Sequence, residues 1–130
     1  MTFTHAELEF LRSQSIGRLG TVGPGNAPQI RPVGMHLADD AQTIEVLGHQ
    51  LAATQKWRNV QRNPQVAFIV DEVLSIDPPR ARGIEIRGRA TAIPAADSGS
   101  TRLSGDVIRI EPQRIISWGL DQPQVTARNV

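Results

Sequence analysis

Residues Ile16 to Leu37 read IGRLGTVGPGNAPQIRPVGMHL, and this stretch decides the fold class. IGRLGTV alternates apolar and small or polar residues, as a half-buried strand does. GPGN then supplies a turn, and APQIRPVGMHL returns as a second strand, so the segment is a hairpin. Pro28 and Pro32 cannot donate to a ladder, which places the returning strand at an edge or bends it.

Outward from the hairpin the texture stays β-rich. TIEVLG (Thr43 to Gly48) is a third strand. VAFIVDE (Val66 to Glu72) is almost continuously apolar and reads as a central strand buried on both faces. GIEIRGRATAI (Gly83 to Ile93) alternates again, and VIRIEP and RIISWG read as two short final strands divided at Pro112 and Gln113. AADSGSTRLSGD (Ala95 to Asp106) has the composition of a surface loop, and the tail DQPQVTARNV has little pattern. Two helices interrupt the strands. Thr4 and Glu7 form a T-x-x-E capping box, with Phe3 and Leu8 at the positions of a hydrophobic staple, for a helix over about Thr4 to Gln14. Six or seven closely spaced strands leave no room for βαβ units, so the expected class is mainly β: a closed or nearly closed antiparallel barrel in one domain, residues 1–130.

Composition removes several functions. The chain has no Cys, which excludes disulfides, thiolate metal sites and Cys nucleophiles. His5, His36 and His49 have no metal-ligand spacing, and no G-x-S-x-G or Walker loop occurs. A net charge of +1 and 4% aromatics argue against a nucleic-acid partner. No leader or membrane-length apolar run is visible, so a cytoplasmic protein is expected. With no protein nucleophile or general base in sight, any enzymatic chemistry here would come from a cofactor.

The second helix is the informative one. GHQLAATQKWRNVQRNP (Gly48 to Pro64) contains Lys56, the only lysine among 14 basic residues. Thr54 is a suitable N-cap and Asn63-Pro64 a suitable stop for a helix over about Thr54 to Arg62. Trp57 and Val60, with Ala53, would pack on the barrel, while Lys56 and Asn59 share a neighbouring face. A cation in the first turn opposes the helix dipole. It makes sense if an anion sits between the ammonium and the free N–H groups, as in a phosphate site. The alternative is a solvated lysine that the helix start tolerates.

IGRLGTVGPGNAPQIRPVGM, GHQLAATQKWRNVQRNPQVAFIVD, RGIEIRGRA and IRIEPQRIISWGLD, in this order, resemble the pyridoxamine 5′-phosphate oxidase-like split-barrel flavoproteins. The likeness is greatest to a small actinobacterial branch predicted to use the deazaflavin coenzyme F-420. The resemblance implies a six-stranded antiparallel split β-barrel and a homodimer with the cofactor at its interface. Thr54, Gln55, Lys56 and Asn59 would hold phosphate. Arg31, Pro32, Val33 and Gly34 would run along the ring through backbone contacts, Gly48 and His49 would border the ribityl chain, and Trp118 of the other subunit would flank the ring. Trp118 also reads as a core residue at a strand end, and Arg58 and Arg62 as either steering charges or a solvated face.

The longer pyridoxamine phosphate oxidases carry an additional C-terminal signature, and this chain ends soon after Trp118, so vitamin B6 oxidation is not expected. The expected function is hydride transfer from reduced F-420 to a small, conjugated or aromatic substrate. An FMN-dependent oxidoreductase of the same fold, or a dimer that only binds a flavin-like or haem-like ligand, are the alternatives. The F-420 tail would need a basic groove, for which Arg58, Arg62 and the arginines of Arg80 to Arg89 are candidates.

Overall fold

A computed structural model describes residues 2–130. The chain runs α1 (His5–Arg12), β1 (Ile16–Val22), β2 (Pro28–Leu37), β3 (Ile44–Leu47), α2 (Gln55–Arg62), β4 (Gln65–Ser75), β5 (Arg80–Ile93), α3 (Ala95–Ser98), β6 (Val107–Trp118) and β7 (Thr126–Asn129). The strands form one antiparallel sheet in the order β3-β2-β1-β4-β5-β6-β7, and a β3–β6 pairing closes the first six into a barrel. No helix among the described residues is long and apolar enough to cross a membrane.

The barrel is split because β6 changes partner along its length. Ile108 to Ile110 pair with β3 and close the barrel, while Arg114 to Ser117 pair with β7 outside it. The core is aliphatic, with Leu19, Ile44, Ile84, Ile86, Ile108, Ile110 and Ile115 almost fully buried around Phe68. Gly17 makes room for that ring: a Cβ there would lie 2.2 Å from Phe68 Cζ.

Helix α1 begins as its capping box dictates. Thr4 Oγ1 accepts from the Glu7 N–H, and Glu7 Oε1 accepts from the Thr4 N–H at 2.9 Å. Phe3 and Leu8 are both buried, as a staple requires. Glu7 itself is 1% exposed and reaches the far end of the chain. Arg128 donates to both its oxygens, at 2.6 and 2.9 Å, and Ser117 donates at 2.9 Å. Burial alone would raise this carboxyl, but Arg128, the Thr4 N–H and Ser117 together hold it below the usual carboxylate range.

The returning hairpin strand is an edge over its first half only. The Met35 N–H donates to Ser15 and the Gly23 N–H to Ala27, so odd-numbered backbone groups of β2 face β1. Even-numbered ones face away. Those of Gly34 and His36 meet β3, but Pro28, Ile30 and Pro32 lie on an open edge, where a missing N–H costs nothing.

Three expectations are corrected. Strand β4 is central, between β1 and β5, but only Val66, Phe68 and Val70 are buried; Ala67 is exposed and Ile69 half-buried, because a barrel strand has one inward face. The two short final strands are one strand, β6, which absorbs Gln113 as a bulge between Pro112 and Arg114. The tail is partly ordered as β7, and the Ala95 to Asp106 segment opens with the single turn α3.

Candidate functional site

Three segments meet at a cleft of about 620 Å³ lined by Leu19 and Thr21 of β1, Gln29, Ile30 and Arg31 of β2, and Thr54, Gln55 and Lys56 at the start of α2. The hairpin register brings Thr21 opposite Gln29 and Leu19 opposite Arg31. Helix α2 is set over them by buried Trp57 and Val60.

The start of α2 follows its cap. The Thr54 hydroxyl accepts from the Trp57 N–H at 3.4 Å and donates to the Leu51 carbonyl at 2.7 Å, so its single proton is already used. The N–H groups of Gln55 and Lys56 come before Arg58, whose N–H is the first to find a helical carbonyl, and remain available.

The cleft is cationic and contains no carboxylate or imidazole among its lining residues. Neither Lys56 nor Arg31 has an acidic partner among the described residues. Partial burial, and then the neighbouring Arg31 charge, hold the Lys56 ammonium below the usual lysine range. Two unpaired cations held close together are unfavourable in isolation and become favourable when an anion is shared between them.

Behind the cleft lies Asn59, 0% exposed. Its Nδ2 donates to Thr21 Oγ1 at 3.0 Å and to Gln29 Oε1 at 2.9 Å, and its Oδ1 accepts from Gln55 Nε2 at 2.8 Å. The side chain is thus committed to three neighbours rather than open to a ligand.

Of the residues singled out from sequence, Arg31, Thr54, Gln55 and Lys56 line this one cleft, with Asn59 directly behind. Val33 turns its side chain into the core, and Pro32 and Gly34 continue β2 past the cleft. A Cβ on Gly34 would meet nothing within 4 Å, so the strand is open there. Gly48 and His49 lie after β3, where the Gly48 carbonyl accepts from Ser104.

Trp118 is not at the cleft. It lies on the outer face of the sheet, packed on Gly83, where a Cβ would come 2.5 Å from Trp118 Cζ2. Leu19, Thr21, Gln29 and Ile30 were not singled out; only the hairpin register, which carries no local signal of function, brings them to Lys56.

The arginines of Arg80 to Arg89 do not form one groove. Arg82 pairs with Glu72 and sits 4.9 Å over the Phe10 ring, while Arg87 pairs with Glu85 on the opposite strand face. Strand alternation separates them. No group of three or more His, Cys, Asp or Glu among the described residues is arranged to hold a metal.

Residues 3–119 match the sequence profile of the family described as pyridoxamine 5′-phosphate oxidase. The chain belongs to this family. It is also 38% identical over 122 residues to a 5a,11a-dehydrotetracycline/5a,11a-dehydrooxytetracycline reductase of Streptomyces rimosus, covering 93% of this chain and 86% of the relative. A conserved hypothetical protein of Mycobacterium tuberculosis superposes with a TM-score of 0.70 at 22% identity, covering 90% of this chain and 85% of that one. A structure described as an F420 reductase superposes with a TM-score of 0.60 at 22% identity, covering 82% and 94%. These two structural likenesses concern the fold.

Proposed function

We propose that this chain is an oxidoreductase that binds reduced F-420 with the cofactor phosphate in the Lys56 cleft and passes hydride to a small conjugated organic substrate. The observation that carries the reading is the pairing of Lys56 and Arg31, two cations without an acidic partner, in a cleft free of carboxylates. A phosphate fits that donor set: two cations and the free N–H groups of Gln55 and Lys56 at a helix start. The open edge of β2 adjoins it at Ile30, leaving backbone groups of Ile30 and Pro32 free for the polar rim of a ring.

When bound, the reduced deazaflavin supplies the hydride. The chain supplies grip, orientation and exclusion of water, since no lining residue is a nucleophile poised beside a base. The reductase name of the 38% identical Streptomyces relative supports hydride delivery to a substrate over oxygen chemistry.

The outer sheet face supports a homodimer. Ile30 of β2, Ile16 of β1, Ile69 of β4, and Ile116 and Trp118 of β6 lie on one face of the sheet, with β5 between β4 and β6, and Ile30 and Ile16 are 65% and 58% exposed. Pairing two such faces would cover them and carry Trp118 to the other subunit's ring.

The test is an equilibrium titration with F-420 and, separately, FMN at fixed ionic strength, followed by fluorescence. Micromolar or tighter F-420 binding with weak FMN binding supports the proposal. FMN binding alone moves the chain to the flavin-dependent branch, and binding of neither refutes a cofactor role for the cleft.

A further inference from the structure

The free edge of β2 is chemically one-sided. Odd-numbered backbone groups of β2 face β1, and those of Gly34 and His36 meet β3. The backbone groups of Pro28, Ile30 and Pro32 are left without a hydrogen-bond partner among the described residues. An ordinary strand edge offers one N–H for each carbonyl. Here two of the three N–H groups do not exist, because residues 28 and 32 are proline. The edge therefore presents three carbonyls and a single N–H, that of Ile30.

This edge borders the Lys56 cleft. Strand β3 ends at Leu47, opposite Gly34, and the chain lies beside β2 again only at Thr54 to Lys56, which line the cleft with Ile30 and Arg31. Pro32 is exposed at the next edge position, and the strand stays open as far as Gly34, where a Cβ would meet nothing within 4 Å. Pro28 turns instead to a separate hollow of about 370 Å³ with Gly20, Val22 and Ala67.

The hydrogen-bonding pattern of a flavin or deazaflavin ring depends on its oxidation state. Addition of a hydride and a proton turns a ring nitrogen beside the pyrimidine carbonyls from an acceptor into an N–H donor. The reduced ring thus has a donor where the oxidised ring has a lone pair. A backbone carbonyl facing that nitrogen is satisfied by the reduced ring and opposed by the oxidised one. We infer that Pro32 is a specificity-determining residue that biases this site towards the reduced cofactor: it removes the N–H that would serve the oxidised ring and leaves the Ile30 and Pro32 carbonyls to accept from the reduced one. This rests on the reading of the Lys56 cleft as the phosphate site and adds the oxidation state that the neighbouring edge selects. Such a bias suits a protein that takes up reduced cofactor and releases it oxidised.

The experiment measures dissociation constants of reduced and of oxidised F-420 at mildly acidic pH, where the reduced ring keeps that proton. The proteins are the wild type, Pro32→Ala, Pro28→Ala and Lys56→Met. An anaerobic redox titration of the bound cofactor checks the same ratio as a midpoint potential. Pro32→Ala restores an N–H at an exposed position, and Pro28→Ala does so on the same edge away from the cleft lining.

The wild type should bind the reduced form about tenfold more tightly, which places the bound potential ~30 mV above that of the free cofactor. Pro32→Ala should cut the ratio about fivefold through tighter binding of the oxidised form, with the potential falling by ~20 mV. Pro28→Ala should leave the ratio unchanged, and Lys56→Met should weaken both forms by one factor. Equal wild-type affinity for the two forms, or a ratio that Pro32→Ala leaves intact, would overturn the inference and reduce the prolines to guards against strand addition. A Pro28→Ala effect as large as that of Pro32→Ala would overturn the assignment to Pro32. Binding that Lys56→Met does not weaken would overturn the phosphate site itself.

Discussion

Lys56→Met should weaken the cofactor and stabilise the empty protein at once. Met keeps the aliphatic stem of the side chain, so the change isolates the charge. Lys56 is half-buried beside Arg31 with no acid to offset it. Burial and the Arg31 charge hold its folded-state pKa below the ordinary lysine value, so at neutral pH the charged lysine costs folding free energy. Solvent screens much of this, leaving a gain for Lys56→Met of about 0.5 kcal/mol, or ~2 °C in Tm. That gain is complete below the lowered folded pKa and disappears as pH rises to the unfolded value near 10.5, where wild-type Lys56 no longer needs to be charged.

Binding moves the other way. Losing a charge-assisted hydrogen bond to phosphate costs about 1.5–3 kcal/mol, roughly a 10- to 150-fold rise in Kd for F-420 or FMN. Calorimetry at neutral and alkaline pH, with fluorescence titration of both cofactors, reads the two effects on one sample. A variant that melts earlier than wild type at neutral pH yet binds as tightly would refute the reasoning.

Glu7→Gln should destabilise by about 2–4 kcal/mol, because the buried site loses its charge while Arg128 keeps its own. Since the folded Glu7 pKa is depressed, its contribution is present above the unfolded value and is lost as pH falls through the folded one; acid melting of Glu7→Gln should lack that component. Gly17→Ala should cost about 1–3 kcal/mol by driving a Cβ into Phe68, read as a lowered denaturant midpoint; an unchanged midpoint would mean the ring is free to move. Trp118→Ala should weaken riboflavin and FMN by the same factor in a protein that light scattering shows to be dimeric, and a selective loss of FMN would place Trp118 at the phosphate instead.

What was legible in the sequence was local. The Thr4–Glu7 box and the Thr54 cap lie three residues from their partners, and both helices start where those caps put them. Alternation revealed the hairpin and β5, and the prolines of β2, read as marking an edge or a bend, lie on the stretch of β2 that β3 leaves unpaired. The errors came where a neighbouring strand decides. Pro112 resembled a break, but a bulge opposite Arg87 and Gly88 accommodates it. The run VAFIVDE resembled a strand buried on both sides, but its burial alternates along the barrel wall.

The site divides the same way. Thr54, Gln55 and Lys56 follow one another on a single helix turn, so their common position could be read directly. Gln29 and Thr21 lie 30 and 38 residues from Asn59 and join it only through the barrel. Glu7 carries a double role for the same reason: its cap is local, but its ion pair with Arg128 spans 121 residues and no spacing rule announces it.

The most direct test of the central claim is the position of the phosphate itself, in crystals of the protein grown with F-420. The account predicts phosphate oxygens within hydrogen-bonding reach of Lys56 Nζ and the Arg31 guanidinium. Density for the phosphate elsewhere on the barrel, with Lys56 and Arg31 still facing solvent, would contradict it.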